Sequence, residues 1–307
     1  MALVFVFPGQ GAQYVGMGLG LYEGNERANA VLSEAESAFG GGLLDVMFKG
    51  PEEELKKTDY TQPAIFALSA AIYEVVREKY GAKPAFFAGH SLGEYTALYA
   101  AGAFDFKSAM ELVKIRGKLM QEASLKIKSS MAAVLGLDAE AVKELCARVK
   151  DAGYLAAANI NAPGQIVVSG DMAAINAAEA AAKELGAKRY IKLSVAGAFH
   201  SDIMAPAADG LKRAMESFTF SRLSTPVVAN ASASRVVEPQ EIKDSLVKQV
   251  VSPVRWIETV EYLKEHGAGT FVECGPGNVL TGLVKKIDRS LKTVNYAKLE
   301  DINSNIL

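Results

Sequence analysis

The segment that most constrains this chain is the hexapeptide GHSLGE at residues 89–94. It follows a short apolar run at 85–88 and precedes a helical pattern at 95–101. A strand, a tight turn and a helix in this order make a G-x-S-x-G match into a nucleophile elbow, which lifts a serine hydroxyl out of the backbone. Ser91 would then lie at a helix N-terminus, where unpaired N–H groups favour negative charge on a reacting oxygen. The alternative is a glycine-rich turn whose serine only caps the helix.

Composition defines the class of protein. Of the 307 residues, 50% are hydrophobic and 22% are charged, which is typical of a globular chain with one large domain, or a large domain with a smaller insert. The net charge of −2 gives no general reason to expect nucleic-acid binding, and no segment approaches the length of a membrane span. Cys146 and Cys274 lie far apart, and the N-terminal apolar run is too short for a signal peptide. We therefore expect a cytoplasmic protein without disulfides.

Apolar runs and capping residues predict the elements on either side of the elbow. A helix is predicted over 61–80, with Thr61 as its N-cap. A second helix is predicted from about 105 to 121, with a capping box between Ser108 and Glu111. Buried strands of a parallel sheet are expected at 3–7, 85–88, 226–229 and 270–273.

The middle of the chain follows a different order of elements, βαββαβ, which is that of the ferredoxin-like unit and forms a compact module by itself. We therefore predict an α/β protein whose core comprises residues 1–126 and 196–307, with an inserted module at residues 127–195. The strands of the insert are expected at 131–135, 155–160, 165–169 and 189–193, and its helices at 138–150 and 171–185.

Ser91 needs a base within hydrogen-bonding distance, because a serine alcohol is a poor nucleophile at neutral pH. Of the three histidines, His90 should be aimed away from the serine by the turn, and His266 lies at an ordinary helix terminus. His200 lies in a loop of small residues where the chain returns from the insert, and it is the candidate base. A structural histidine that caps the next helix is the alternative. No acid stands out as a third member, so a backbone carbonyl or an amide side chain is expected to orient the base.

Arg116 stands out on the second predicted helix. Ala109, Leu112 and Leu119 define an apolar stripe at helical spacing, and Arg116 falls on that stripe. A guanidinium that points inward needs an anionic partner, because an unpaired buried charge is costly. A protein carboxylate and the carboxylate of a bound substrate would both serve, and the planar fork of arginine can pair with two oxygens at once.

No resident metal or cofactor is predicted. Gly9, Gln10 and Gly11 resemble the start of a dinucleotide-binding fingerprint, but Tyr14 occupies the position of its third glycine, and positions 29 and 30 hold no acid for a ribose. The chain has no H-E-x-x-H or C-x-x-C motif, and three histidines are too few for a catalytic zinc site of the usual kind.

Six motifs occur in order along nearly the whole chain: FPGQGAQ at 7–13, TQPA at 61–64, GHSLGE at 89–94, the Arg116 helix, AFHS at 198–201 and GPG at 275–277. Together they resemble the malonyl-coenzyme A:acyl carrier protein transacylases, the acyltransferases of bacterial fatty-acid synthesis. The resemblance implies an α/β-hydrolase-like core that carries a ferredoxin-like insert, which agrees with the order of elements predicted above.

The resemblance also implies a ping-pong acyl transfer. Ser91 would accept a malonyl group from malonyl-coenzyme A, His200 would be its base, and a carbonyl near Gln249 would orient His200. The acceptor would be the phosphopantetheine thiol of acyl carrier protein, so no cofactor would reside on the enzyme itself. A monomer with no nucleic-acid or membrane partner is expected.

The same resemblance implies how the substrate is held. Arg116 would bind the malonyl carboxylate, and the backbone N–H groups of Gln10 and Leu92 would form an oxyanion hole. In similar acyltransferases, Leu92 after the serine and Phe199 before the histidine favour malonyl over a branched acyl unit.

Three other readings stay open on sequence alone. A serine esterase or lipid acyl hydrolase uses the same elbow, although a neutral acyl chain needs no Arg116. An acyltransferase could serve a polyketide synthase in trans. A non-catalytic binding module would need neither Ser91 nor His200.

Docking of an acidic carrier protein requires local basic surfaces, because the net charge of this chain is not positive. Two clusters are candidates, and two ordinary solvated surfaces are the alternative. The clusters are Lys188, Arg189 and Lys192 in the insert, and Lys285, Lys286 and Arg289 near the end of the chain.

Overall fold

The computed structural model describes residues 2–304, which form two β-sheets with helices packed around them. No helix within this range is both long enough and apolar enough to cross a membrane. The strands are β1 (Ala2–Phe7), β2 (Phe86–Gly89), β3 (Ser129–Leu135), β4 (Leu155–Ala162), β5 (Gln165–Asp171), β6 (Arg189–Lys192), β7 (Val227–Ala229), β8 (Ser234–Val236), β9 (Ala268–Cys274) and β10 (Lys292–Tyr296). The helices are α1 (Leu19–Gly24), α2 (Glu26–Phe39), α3 (Leu43–Lys49), α4 (Glu52–Leu55), α5 (Thr58–Tyr80), α6 (Gly93–Ala100), α7 (Phe106–Lys126), α8 (Ala139–Arg148), α9 (Met172–Glu184), α10 (Ala205–Ala214), α11 (Pro239–Val251), α12 (Trp256–Glu265), α13 (Val279–Ile287) and α14 (Leu299–Asn303).

The first sheet has six strands in the order β10-β9-β1-β2-β7-β8, and all neighbours are parallel except β7 and β8. β1 is fully buried from Val4 to Phe7. Phe5 and Phe7 pack into the core that contains α5, whereas Val4 and Val6 pack on the opposite face against α12 and α13. Burial on both faces explains the continuous apolar run of β1, and it is why this strand could be predicted.

The predicted start of the helix at 61–80 is wrong by three residues, because α5 begins at Thr58. The N–H of Thr61 already donates to the Lys57 carbonyl at 2.7 Å, so Thr61 lies inside the first turn and is not the N-cap. Its hydroxyl donates to the Leu55 carbonyl instead. The predicted end at Tyr80, before Gly81, is confirmed.

The predicted cap of the second helix is also wrong. Asp105 is the N-cap of α7, and its carboxylate accepts from the Ser108 N–H at 2.8 Å. Ser108 is therefore a helical residue in the first turn, and it forms no capping box with Glu111. The helix continues to Lys126, beyond the predicted end near residue 121.

The second sheet, in the order β4-β5-β3-β6, is antiparallel throughout. Its elements follow the predicted order βαββαβ. One face packs against α8 and α9 through residues such as Val134, and the other contributes Met131 and Val167 to the core around α5. The Ile160 N–H of β4 donates to the Val254 carbonyl at 2.9 Å, which fastens this sheet to the segment before α12.

β1, β2 and α6 approach one another closely around the turn at 89–93. A Cβ atom on Gly93 would overlap the Phe7 carbonyl, and one on Gly89 would overlap the Gly93 carbonyl. Neither glycine has a positive φ, so both positions require space and not an unusual conformation. The two glycines therefore allow the turn to rest directly on β1.

We expect Gly93→Ala to lower the free energy of unfolding by about 1–3 kcal/mol, because the added methyl group must push backbone atoms apart. Urea denaturation measures this change. Gly282→Ala is the matched control, because its added Cβ inside α13 would have no atom within 4 Å. Alanine favours a helix, so this control should be neutral or stabilising by up to about 1 kcal/mol. A Gly93→Ala protein as stable as the control would contradict the close packing.

Candidate active site

Ser91 lies between the end of β2 and the start of α6, where the elbow pattern places it. Its φ is +51°, in the left-handed region that non-glycine residues rarely adopt. His200 has a φ of +57°. Strain of this kind persists only where the surrounding structure holds it, and it clusters at functional sites.

His200 connects Ser91 to the end of α11. Its Nε2 lies 2.7 Å from the Ser91 Oγ, and its Nδ1 lies 2.9 Å from the Gln249 carbonyl oxygen. Because a carbonyl can only accept, Nδ1 carries the proton and Nε2 accepts from the Ser91 hydroxyl. The main chain at Gln249 thus occupies the position that an acid holds in a triad.

The protonation state of His200 suits a general base. Burial lowers the pKa of His200 to about 3, and the positive charge of Arg116 acts in the same direction. The imidazole is therefore neutral at pH 7, and its Nε2 lone pair is available for a proton.

Arg116 brings a buried positive charge to the same place. Its Nη1 donates to the Gln62 Oε1 at 2.7 Å, and its Nη2 donates to the Gln249 Oε1 at 2.9 Å and to the Ser91 Oγ at 3.1 Å. No carboxylate of residues 2–304 lies within 4.0 Å of the guanidinium. Burial lowers the pKa of Arg116 from its ordinary value, although arginine keeps its charge at neutral pH. Of the two partners considered for this guanidinium, a protein acid is therefore not found in the described residues.

Two backbone amides are available on the wall of the pocket in front of Ser91. Across residues 2–304, neither the Gln10 N–H nor the Leu92 N–H has a hydrogen-bond partner. The Ser91 N–H differs, because it donates to the Asn230 Oδ1 at 2.7 Å. The pocket thus presents two unused amide donors, and they belong to the two residues that the sequence resemblance indicates.

One part of the pocket lining comes from the antiparallel sheet and the loop that follows it. Met131 of β3, Val167 of β5, and Leu193 and Phe199 after β6 line this side. Ser91 and Arg116 line the same pocket from elements packed on the parallel sheet, and His200 comes from the same loop as Phe199. An apolar wall against a polar one suits a substrate chain that carries a polar reacting end.

The sequence patterns do not predict the roles of three residues of the site. Gln62 lies in the TQPA motif, but nothing in the sequence indicates that its carbonyl oxygen accepts from Arg116. Asn230 follows β7, and Glu94 completes the GHSLGE motif. The role of each residue depends on a contact with a residue more than fifty positions away in the chain, and periodicity and spacing do not predict such contacts.

The other two histidines are bonded elsewhere. The Nε2 of His90 lies 2.8 Å from the Asn161 Oδ1, so this ring points from the elbow toward β4. The Nδ1 of His266 lies 2.7 Å from the Tyr262 carbonyl at the end of α12. His200 is therefore the histidine that contacts Ser91.

No group of three or more His, Cys, Asp or Glu side chains within residues 2–304 is placed to hold a metal ion. The expectation that the protein has no resident cofactor stays a prediction.

A model of the family described as acyl transferase domain matches residues 4–302. The chain belongs to this family of acyltransferases. The malonyl CoA-acyl carrier protein transacylase of Bacillus subtilis is 45% identical to this acyltransferase over 301 residues, which are 98% of this chain and 95% of the relative. The corresponding Escherichia coli K12 protein is 42% identical over 283 residues, or 92% of each chain.

Solved structures agree with this assignment. An acyl-carrier-protein S-malonyltransferase from Burkholderia pseudomallei superposes with a TM-score of 0.95 at 40% identity, and the match covers 99% of this acyltransferase and 98% of that chain. A malonyl-transacylase in complex with a type II PKS acyl-carrier protein gives a TM-score of 0.96 at 41% identity, with coverage of 99% and 98%.

The buried neutral state of His200 should make the acyltransferase less stable in acid. In the unfolded chain the histidine pKa is 6.5, whereas in the folded protein it is about 3. Between these values the unfolded state binds more protons, so the free energy of unfolding falls as the pH falls below 6.5. At pH 5 this residue alone should cost about 2 kcal/mol relative to pH 8.

Urea denaturation of the wild type and of His200→Gln at pH 8 and pH 5 measures that effect. The wild type should lose about 2 kcal/mol more than the variant between the two pH values, because every other titrating group is shared. An equal loss in both proteins would show that His200 titrates normally in the folded state.

Proposed function

We propose that this acyltransferase moves a malonyl group from malonyl-coenzyme A to the phosphopantetheine thiol of acyl carrier protein in fatty-acid biosynthesis, through a malonyl ester on Ser91. The observation that carries the proposal is the buried guanidinium of Arg116, which lies 3.1 Å from the Ser91 Oγ and has only neutral protein partners among residues 2–304. A substrate with a carboxylate near its reacting carbonyl would supply the missing anion. The names of the relatives agree with this substrate.

In the first half-reaction, the His200 Nε2 takes the hydroxyl proton as the Ser91 Oγ attacks the thioester carbonyl. The carbonyl oxygen becomes an oxyanion, and the N–H groups of Gln10 and Leu92 donate to it. When the C–S bond breaks, the imidazolium returns the proton to the sulfur, and coenzyme A leaves as a thiol. The malonyl group remains on Ser91 as an ester.

The second half-reaction reverses these steps with a different thiol. The phosphopantetheine thiol of the carrier protein gives its proton to His200 as its sulfur attacks the ester carbonyl. The same two amides hold the oxyanion, and the proton then returns to the Ser91 oxygen as the C–O bond breaks. The carbonyl of Gln249 keeps Nδ1 protonated throughout, so Nε2 is the atom that exchanges protons in both directions.

The fold that we propose is an α/β-hydrolase-like core at residues 1–126 and 196–307 with a ferredoxin-like insert at 127–195. A parallel sheet with an elbow after β2 supports the first assignment. The order βαββαβ and the antiparallel pairing of β3, β4, β5 and β6 support the second. The monomeric state and the cytoplasmic location stay predictions.

A second acceptor has a specific observation in its favour. The similar malonyl-transacylase that was solved in complex with its carrier protein is bound to a type II PKS acyl-carrier protein. A carrier protein of polyketide synthesis is therefore the alternative acceptor, and the chemistry at Ser91 would be the same for both. Relative kcat/KM for the two carriers distinguishes them.

The mass of the intact protein after mixing with malonyl-coenzyme A tests the proposed function. We expect a stable malonyl adduct on the wild type and none on Ser91→Ala. Addition of holo carrier protein should remove the adduct and load the carrier. Release of free malonate without an adduct would indicate a hydrolase, and an unmodified protein that retains bound ligand would indicate a binding module.

Arg116 should select the charge of the acyl group. We expect Arg116→Ala to lose malonyl transfer by about 10²-fold or more and to gain relative activity on acetyl-coenzyme A, because the buried cation no longer pairs with the carboxylate. Arg116→Lys should be intermediate, because it keeps the charge without the planar fork. The measurement is kcat/KM for both donors in variants whose circular dichroism matches the wild type. Equal losses for the two donors would make Arg116 a structural residue.

The two basic clusters border the same end of the antiparallel sheet. The Lys286 Nζ donates to the Gln165 Oε1 at 2.8 Å, Gln165 pairs with Leu135, and Leu135 pairs with Arg189. Because neighbouring strands are about 4.8 Å apart, Gln165 and Arg189 are separated by about 10 Å. We propose that Arg189 and Lys286 belong to one surface for the acidic carrier protein.

This surface leads to the pocket along one strand. The N–H of Leu193 donates to the Met131 carbonyl at 2.9 Å, and both residues line the pocket. Arg189 lies four residues before Leu193 and on the same face, so about 13 Å of extended chain separates them. Lys192 is instead paired with a carboxylate, that of Glu179 at 3.2 Å, and the Lys285 Nζ, like that of Lys286, has a neutral acceptor, the Leu291 carbonyl at 2.6 Å.

Charge reversal tests the docking surface. We expect Arg189→Glu and Lys286→Glu each to raise the KM for carrier protein by about 3–10-fold at low ionic strength, and to leave the coenzyme A half-reaction unchanged. The effect should shrink as salt screens the encounter. Lys143→Glu is the matched control, because Lys143 is exposed on α8, which covers the other face of the sheet. Carrier kinetics that ignore both ionic strength and the two reversals would remove this surface from the proposal.

A further inference from the structure

Glu94 is a buried carboxylate that takes part in no step of the proposed transfer. It lies in the first turn of α6 and is 1% exposed. No Lys, Arg or His side chain of residues 2–304 lies within 4.0 Å of its oxygens. Burial of an acid without a cation costs free energy, so its hydrogen bonds must compensate for that cost.

One set of contacts leads from Glu94 to the elbow. The Glu94 Oε2 accepts from the Asn230 backbone N–H at 2.9 Å. The Asn230 side chain holds both ends of the turn, because its Oδ1 accepts from the Ser91 N–H at 2.7 Å and its Nδ2 donates to the Gly89 carbonyl at 2.6 Å. Ser91 has a strained backbone, so these contacts hold the nucleophile in place.

The other set leads to Arg116 and His200. The same Glu94 Oε2 accepts from the Gln249 Nε2 at 2.7 Å, and this nitrogen also donates to the Ser91 carbonyl at 3.0 Å. The Gln249 Oε1 accepts from the Arg116 Nη2 at 2.9 Å, and its backbone carbonyl accepts from His200. One intervening residue, Asn230 or Gln249, therefore connects the Glu94 carboxylate to Ser91, Arg116 and His200.

Hydrogen-bond polarity explains why an acceptor is needed at this position. The carboxamide of Gln249 has an acceptor end and a donor end that differ little in shape. Arginine has only donors, so the acceptor end must face Arg116 and the donor end must face away from it. An acceptor at the Glu94 Oε2 position stabilises this orientation. An apolar residue there would remove the shortest hydrogen bond of the Gln249 Nε2 and leave the one to the Ser91 carbonyl, at 3.0 Å, as the shortest that remains.

We propose that Glu94 is a positioning residue, whose Oε2 fixes the orientation of the Gln249 side chain and the place of Asn230, and thereby aims Arg116 and Ser91 at the substrate. This inference rests on the proposed function for the selection of malonyl, but its effect on Ser91 does not.

The charge environment of Glu94 is consistent with an acceptor role. Burial raises the pKa of Glu94 to about 7, and the hydrogen bonds from Asn230 and Gln249 and the charge of Arg116 oppose this rise. Ser245, Asn230 and Gln249 face it as neutral groups, and Tyr95 is the adjacent titratable group on α6. A neutral Glu94 with its proton on Oε1 still has both lone pairs of Oε2 free for these two donors, so the orientation of Gln249 does not require the charge.

Substitutions at Glu94 distinguish a hydrogen-bond acceptor from a residue that only fills space. Glu94→Gln keeps an oxygen at the Oε2 position, whereas Glu94→Leu has a similar size and no acceptor. Glu94→Asp keeps the carboxylate but withdraws it by one methylene. Glu74→Leu is the matched control, because Glu74 is a second buried carboxylate that contacts α6 through Tyr99, and its other side-chain partners among residues 2–304, Arg27 and Arg77, lie outside the site.

Two readouts are measured on proteins whose circular dichroism matches the wild type. The first is the ratio of kcat/KM for malonyl-coenzyme A to that for acetyl-coenzyme A in the acylation step. The second is the rate of Ser91 modification by phenylmethylsulfonyl fluoride, in which an O–S bond forms, fluoride leaves and the proton passes to His200. The second readout needs no acyl donor, so it reports on the nucleophile even if the proposed function is wrong.

We expect Glu94→Leu to lower the malonyl-to-acetyl ratio and the sulfonylation rate by about 10-fold or more each, and Glu94→Gln to keep both within about 3-fold of the wild type. Glu74→Leu should lower the melting temperature and leave both readouts unchanged.

If Glu94→Leu does not fold, Glu94→Asp decides, with an expected decrease of about 3–10-fold in both. A wild-type protein that acylates with neither donor, together with slower sulfonylation in the Glu94 variant, would overturn the proposed function and keep Glu94 as a positioning residue. A folded Glu94→Leu or Glu94→Asp protein with unchanged sulfonylation and an unchanged ratio would overturn the inference.

Discussion

The site depends on one unneutralised charge, the guanidinium of Arg116. Its partners in the described part of the chain are the carbonyl oxygens of two glutamine side chains and the Ser91 hydroxyl. These groups orient the cation without cancelling it, so its field acts on the pocket. The same field contributes to the low pKa of His200 and to the partial relief of the raised pKa of Glu94. Burial is the larger cause of both pKa shifts, and the protonation of His200 and of Glu94 also responds to this one side chain on α7.

The surroundings of the Arg116 guanidinium come from the packing of two sheets. The parallel sheet carries the elbow at the end of β2, and the antiparallel sheet supplies an apolar wall through Met131 and Val167. Contacts between β4 and the segment near Val254 hold the two sheets together beside the pocket. A cation under such a wall is shielded from water, so an anionic group that reached it would be bound more strongly than at the surface.

Local patterns predicted the parts of the molecule that depend on neighbours in the chain. β1 has a continuous apolar run because it is buried on both faces. A turn motif predicted that Ser91 lies between a strand and a helix, and a helical stripe predicted that Arg116 points inward. Both predicted helix caps were wrong, because Thr61 and Ser108 have the right chemistry but lie inside turns that begin earlier.

Contacts between distant elements left no such signal. Asn230 reaches the Ser91 amide across 139 positions, and Gln62 reaches Arg116 across 54. Neither side chain is unusual in its own segment. Their roles arise only when β7 and α5 are brought beside the elbow, so they follow from the tertiary packing and not from spacing along the sequence.

The group that orients His200 belongs to the end of a helix and not to a side chain. Gln249 lies in the last turn of α11, which ends at Val251, and its carbonyl accepts from the Ser252 N–H at 3.4 Å as well as from His200 at 2.9 Å. The partial negative charge of the helix end can favour an imidazolium without a carboxylate in contact with the ring. A carbonyl cannot be removed by changing the residue that bears it. The orientation of the base is therefore insensitive to most point mutations at this position, and is vulnerable instead to insertions or deletions that move the end of α11.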